Sequence, residues 1–436
     1  MFAVRLVRQN ILASALLLAI LLGVIVRFLA LDAMEFKGDE FKAYLLSAAY
    51  LQHWIIPRLG LYSSTGLANP PAFLVLLWPA LLVSKDPIVI TKWVVLLNVA
   101  GIAGLVAFLR KIGGTTLALQ TTVIIALSPW LFLFSRKIWA QDTLFPFLIL
   151  TGWLLLSYAR DRRSWQLWCA AVAMAFVTQL HMSTWAMPVA TVLWLAILRI
   201  RPRWIDIVIC AAVFILFYAS YISFHIQDGF QNLLHAGTDN PGSIFAQLRW
   251  MIGINGAVGL DYMWGKDIPP AIPAALVHAA EIGTWLIALC ALGGLAITIK
   301  RIARASSNLR DVGTISALDR YILFLLCVAV CTLSFLLTVR APALPFYHLV
   351  FLPLIPLLCA IGLAGLPKKY SAPANSLLLL IGGIFFALIL SFQSLTLNHP
   401  DQIHGDYGEP YRNAQEQWAP YIEAVQEGRL RLPEKE

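Results

Sequence analysis

Charge is what this chain has least of. Of its 436 residues only 13% are charged and 60% are hydrophobic, and the mean hydropathy is +0.76. A water-soluble protein of this length needs more polar residues to cover its surface, so the composition excludes a soluble globular fold. Acids are scarcer than bases, 23 against 32. The resulting +9 invites a nucleic-acid reading, but its distribution excludes that, as shown below. Cysteine is sparse. Cys169, Cys210, Cys290, Cys327, Cys331 and Cys359 all lie inside apolar runs, which gives neither a disulfide framework nor a zinc spacing. Internal repeats and low-complexity tracts are absent. The outer regions defined below also lack an Asn-x-Ser/Thr sequon, which favours a bacterial plasma membrane over an endoplasmic reticulum.

What the chain does have is apolar runs long enough to cross a hydrocarbon core, such as Ile11 to Leu31, Ile88 to Leu109 and Ile205 to Phe224. Arg5 and Arg8 precede the first run, and no small-residue cleavage site follows it. It reads as an uncleaved signal anchor that is also the first helix. One stretch is ambiguous. Ala72 to Ser84, opened by Pro70-Pro71, is short for a span and typical of a re-entrant or interfacial helix.

The positive-inside rule decides the matter. If that stretch does not cross, the inner loops are Arg110-Lys111, Arg160 to Arg163, Arg199 to Arg203, Lys300 to Arg320 and Lys368-Lys369. Together with Arg5 and Arg8 they hold 17 of the 32 bases but only Asp161, Asp206, Asp311 and Asp319 of the 23 acids. If it crosses, every basic cluster after Arg110 moves outside and the bias inverts. The expected architecture is therefore an all-α transmembrane bundle of about eleven spans. They lie near 11–31, 88–109, 116–134, 143–159, 165–180, 184–198, 204–224, 278–299, 319–339, 345–366 and 376–397. Four units follow: a module over 1–224 that includes a first outer loop at 32–87, an outer loop at 225–277, a second transmembrane module over 278–397, and an outer tail at 398–436.

The candidate chemistry lies on the outer side. Gly38-Asp39-Glu40 opens a segment in which Phe41, Tyr44, Leu45, Ala48, Leu51 and Ile55 recur at helical spacing, an amphipathic interfacial helix. Asp39 is either its N-cap or a functional acid. The next outer turn carries Arg136, Lys137 and Asp142. Its cations either snorkel to headgroups or hold a ligand. His181 stands at the outer end of a helix, as a structural residue or a participant. Arg340 is a further isolated outer cation, and the loop at 225–277, with Asp261, Trp264 and Lys266, either caps the bundle or shapes a substrate site.

One reaction would use all of these groups. A sugar phosphate of a polyprenol already carries a good leaving group. A carboxylate must accept the proton of an acceptor hydroxyl or amine. Cations must hold the departing phosphate, and membrane helices must hold the lipid tail. Glycoside hydrolysis also uses paired carboxylates but does not need so much membrane. A transporter or flippase is the alternative from another class, disfavoured because the helix interiors are nearly free of charge. Arg27, Lys92 and Glu281 are the exceptions, all near ends. A polysaccharide polymerase or ligase would share the donor type.

The chain resembles the GT-C glycosyltransferases, in the branch holding lipid A aminoarabinose transferases, core galacturonosyltransferases and protein O-mannosyltransferases. Four patterns carry the likeness: Asp39-Glu40 after the first helix, Trp54-x-x-Pro57 followed by Asn69-Pro70-Pro71, Ser128-Pro129 with the Arg136 to Asp142 turn, and the late Pro345-Phe346-Tyr347 to Pro353 and Pro356 segment. The likeness covers the first half well and the second half loosely. It implies an inverting transferase working on the periplasmic face of the inner membrane, with a polyprenyl-phosphate sugar as donor and a lipid, glycan or protein as acceptor. It implies Asp39 as catalytic base, aided by Glu40, with Asp142 arranging the site. Arg136, Lys137 and Arg340 are the candidates for the donor phosphate. His181, Arg58, Tyr347 and Lys266 are candidates for positioning substrate. The aminoarabinose branch has an acid before its Pro-Pro, where this chain has Asn69. A divalent cation such as Mg or Mn is compatible with paired carboxylates, but no ligand set is legible.

Overall fold

The computed structural model describes residues 2–234, 237–307 and 315–432. Arg310 and Asp311 of the expected inner loop lie outside them. The first run forms α1 (Phe2–Val26), which ends five residues before the expected span does. It ends where Ala30 turns left-handed (φ 49°) and Arg27 folds back to donate to the carbonyls of Ala126 (2.6 Å) and Ile125 (3.3 Å). The expected amphipathic helix follows as α2 (Gly38–His53), burying Phe41, Tyr44, Ala48 and Leu51. The ambiguous stretch forms two short helices, α3 (Ala72–Leu76) and α4 (Trp78–Val83). Twelve residues reach about 18 Å, too little for a hydrocarbon core of about 30 Å.

The bundle continues with α5 (Pro87–Gly113), α6 (Thr115–Leu127), α7 (Pro129–Phe134), α8 (Leu144–Asp161), α9 (Ser164–Leu180), α10 (Met187–Ile197) and α11 (Trp204–Gln227). Pro129 separates α6 from α7, since its ring cannot continue the preceding helix. The connection after α11 carries α12 (Gln231–Leu234), α13 (Ile244–Gly253) and α14 (Asp261–Trp264). Then come α15 (Ala274–Ser307), α16 (Ala317–Thr338), α17 (Leu354–Gly365), α18 (Lys368–Asn398) and the tail helix α19 (Tyr411–Glu427). Among the described residues six helices are long and apolar enough to cross a membrane. The expected span at 345–366 is a 3-10 segment (Pro345–Phe351) bent by 55° from α17, which makes up to seven. The expected spans at 116–134, 165–180 and 184–198 are helices too short to qualify by length.

Consecutive segments alternate between two ends of the bundle. One end gathers the first loop, the Ser135–Thr143 turn, His181, the Pro345–Phe351 segment and the tail. There Lys37 pairs with Asp406 at 3.1 Å, Phe41 stacks on Trp418 at 3.9 Å, and Lys85 donates to the Gln426 carbonyl at 2.9 Å. The other end holds the basic turns, where each of the described acids is clasped by an arginine: Asp161 by Arg160 (2.6 Å), Asp206 by Arg203 (3.2 Å) and Asp319 by Arg301 (2.6 Å).

Candidate active site

At the first end lies a cavity of about 350 Å³, lined by Lys37, Asp39, Glu40, Asp406 and uncharged residues of four other segments. Its roof is a tight hairpin. Gly60 N–H donates to Asn69 O (2.7 Å), Asn69 N–H to Leu61 O (3.0 Å) and Ser63 N–H to Leu67 O (2.8 Å). Gly66 closes the turn at φ +75°, and a Cβ on Gly60 would stand 2.5 Å from the Pro70 carbonyl. The hairpin turns Tyr62, Ser63 and Ser64 toward the cavity, and Trp139, Tyr262 and Phe346 complete the wall.

The acids separate by environment. Glu40, not Asp39, serves the start of α2, since the Lys37 N–H donates to Glu40 Oε2 at 3.1 Å. The other Glu40 oxygen stands 3.1 Å from Lys137 Nζ, and Glu35 Oε1 stands 3.0 Å from the same ammonium. Lys137 is only 2% exposed and sits 3.7 Å from the centre of the Trp139 ring. Burial opposes its charge, but Glu35, Glu40 and Asp142 outweigh burial and hold its pKa above the ordinary lysine range. Burial pushes the Glu35 carboxyl up to about 7 against the pull of Lys137. Lys37, 35% exposed, reaches both Glu35 (3.0 Å) and Asp406 (3.1 Å). Asp39 differs from all of these. It is half-buried on the cavity wall and has no ion-pair partner within 4 Å among the described residues. Burial first, and then the neighbouring Glu40, raise its pKa above the usual aspartate value.

The remaining candidates fall in three places. Asp142 is buried beside the cluster, in the turn that also carries Gln141 of the cavity wall. Neither of its carboxylate oxygens has a hydrogen-bond partner among the described residues, and its carbonyl accepts from Asn98 Nδ2 (2.8 Å). It borders a separate small space of about 20 Å³, room for one water, together with Arg27, Asn98 and Gln141. Tyr347 and His181 stand behind the roof. The Tyr347 hydroxyl is 2.5 Å from Ser64 Oγ, and its ring is 5.4 Å from the His181 ring. His181 is fully buried, its Nδ1 is 2.9 Å from Ser183 Oγ, and burial lowers its pKa to about 3, so it is a neutral ring.

Arg136, Arg58, Arg340 and Lys266 do not line the cavity. Arg136 donates to the carbonyls of Leu29 (2.7 Å) and Ala30 (2.5 Å), which fixes the end of α1. Arg58 donates to Gln227 Oε1 (2.8 Å) and ties the first loop to α11. Arg340 and Lys266 are exposed. Sequence reasoning passed over Glu35, Lys37, Tyr262 and Asp406. The run Glu35-Phe36-Lys37-Gly38-Asp39-Glu40 is dense in charge for this chain and could have signalled the first two. Nothing local signals Asp406, which reaches Lys37 across 369 residues. Among the described residues no group of three or more His, Cys, Asp or Glu side chains is arranged to hold a metal ion.

No protein-family profile and no curated protein matches the chain. Solved structures do match. The apo crystal structure of ArnT from Cupriavidus metallidurans superposes with a TM-score of 0.60 over 93% of this chain and 79% of that one, at 14% identity. ArnT bound to undecaprenyl phosphate gives 0.58 over 88% and 78%, at 13% identity. The Archaeoglobus fulgidus oligosaccharyltransferase in complex with Zn and sulfate gives 0.48 over 97% and 58%, at 12% identity. The chain therefore has the fold of the GT-C membrane glycosyltransferases, as its sequence resemblance implies.

Proposed function

We propose that this protein is an inverting glycosyltransferase that moves a sugar from a polyprenyl phosphate to a hydroxyl or amine of a lipid, glycan or protein acceptor. The observation that carries the reading is Asp39. Of the acids around the cavity, Glu35, Glu40 and Asp406 are each held by lysine, whereas Asp39 faces the space without an ion-pair partner. A carboxylate left free in this way is suited to take a proton from an incoming nucleophile. The acceptor oxygen or nitrogen then bonds to the anomeric carbon as the bond from that carbon to the phosphate oxygen breaks. The electron pair leaves with the polyprenyl phosphate.

Lys37 is the cation on the cavity wall, and it would meet the departing phosphate together with the Ser63 and Ser64 hydroxyls. Lys137 and Arg136 act one step back, by fixing Glu40 and the end of α1. That undecaprenyl phosphate binds ArnT, a protein of the same fold, supports a polyprenyl-linked donor. The transport alternative gains nothing from the bundle: Lys92 is exposed, and Glu281 stands 3.5 Å from His278 near the start of α15.

The test offers purified protein a panel of polyprenyl-phosphate sugars with acceptor extract and follows donor loss by mass spectrometry. Wild type should consume one donor, and Asp39→Asn should lower turnover about 100-fold or more. Asp39 must be ionised to act, so kcat/KM should fall as pH drops through its raised pKa, and this limb should lie above the ordinary aspartate value of 3.8. Equal turnover by Asp39→Asn removes the base. No turnover of any donor by folded protein favours transport.

A further inference from the structure

We propose that an arginine-rich cavity at the end of the bundle opposite Asp39 binds the phosphate headgroup of an anionic phospholipid. The cavity, of about 690 Å³, opens where α8 gives way to α9 and α10 to α11. α8 starts at the Asp142 turn and has 18 residues, so its last turn lies about 27 Å from the catalytic end. Arg162, Arg201 and Arg203 line the cavity with Tyr158 and Trp168.

One acid, Asp206, also lines it, but that carboxylate is already engaged. It accepts from Ser164 Oγ (3.0 Å), Trp168 Nε1 (3.1 Å) and Arg203 Nε (3.2 Å) and is buried. It compensates Arg203 and fixes the floor. Arg162 and Arg201 are exposed, and neither has a carboxylate within 4 Å among the described residues. Two uncompensated guanidinium groups over a preformed polar floor suit a phosphate, which accepts planar bidentate contacts.

The rim decides between a lipid and a soluble anion. Trp165 is 51% exposed and Trp204 75%, and the exposed Ile205, Ile207 and Val208 continue from Trp204 down α11. Indole rings above an apolar helix face mark the boundary between headgroups and hydrocarbon. An anion held at that level by basic side chains is a leaflet lipid. This site is separate from the catalytic cavity, and the proposal stands or falls independently of the transferase reading.

The test titrates the full chain in neutral detergent with phosphatidylglycerol or phosphatidylcholine and counts bound lipid by native mass spectrometry. Phosphatidylglycerol should bind at least tenfold more tightly. A basic side chain near an anionic headgroup contributes about fivefold, so the double variant Arg162→Ala, Arg201→Ala should lose about 25-fold. The pair Lys368→Ala, Lys369→Ala, exposed at the same end of the bundle, should change binding less than twofold. If the double alanine variant does not fold, Arg201→Glu on the exposed rim replaces it. Undiminished binding in the arginine variants overturns the proposal, as does an equal loss in the lysine pair. Displacement of the lipid by 10 mM inorganic phosphate overturns the lipid source and assigns a soluble anion.

Discussion

Lys137 holds the candidate site together at the residue scale. Its ammonium lies between two buried carboxylates at 3.0 and 3.1 Å, and removing it leaves Glu40 without an ion-pair partner among the described residues and Glu35 with Lys37 alone. Losing one partner of a buried ion pair costs about 3 kcal/mol or more. Lys137→Met should lower stability by that order in denaturation of the detergent-solubilised protein, more at pH 8 than at pH 5. Adding Glu35→Gln should recover part of the loss. Glu35 sets a window of its own. Its folded pKa of about 7 lies above its ordinary 4.5, so the folded state holds a proton that the unfolded chain releases. Stability should therefore decline as pH rises from about 4.5 to about 7, and Glu35→Gln should flatten that decline. Asp39, Glu40, Lys137 and Asp142 could be singled out in the sequence because they stand in polar breaks beside long apolar runs. Which of them is free was not legible. A lysine two residues before the Asp-Glu pair, and an aspartate 369 positions away, settle that by contact.

Close backbone approach packs α15 against α17, beside the polar contacts that join other helices. A Cβ on Gly294 of α15 would collide with the Leu358 carbonyl, and one on Gly362 of α17 would collide with the Cys290 carbonyl. Neighbouring spans that meet at small residues gain contact along both backbones. Gly362→Leu should cost about 3 kcal/mol, since the obstructing atom is main chain and cannot rotate aside. A lower unfolding midpoint with the apparent oligomeric size unchanged would match that expectation, and an unchanged midpoint would mean the two helices can separate locally. Helix positions were largely legible from apolar run length. Breaks inside the runs were less so. Pro353 follows the 3-10 segment and α17 leaves at 55°, whereas run length alone gave one continuous span over 345–366. Arg27 ends the first helix at Val26 by donating to carbonyls of α6, a tertiary contact that local sequence does not contain.

The molecule as a whole has two chemically different ends, and its polarity gives each a place relative to the membrane. The end with the cavity carries acids in excess: Glu35, Asp39, Glu40, Asp142 and Asp406 against Lys37 and Lys137. The opposite end carries the arginine turns. The positive-inside rule predicts that the cavity faces the extracytoplasmic side. The native cysteines all lie in apolar runs, so an introduced aqueous cysteine stands out against them. In intact cells a membrane-impermeant maleimide should label Glu416→Cys on the exposed face of the tail helix and leave Arg201→Cys untouched until the membrane is permeabilised. The reverse pattern would place the acid cluster inside and separate Asp39 from any substrate presented outside. Labelling of both positions in intact cells would break the alternation of segments between two ends, on which the division into an acidic and a basic face depends.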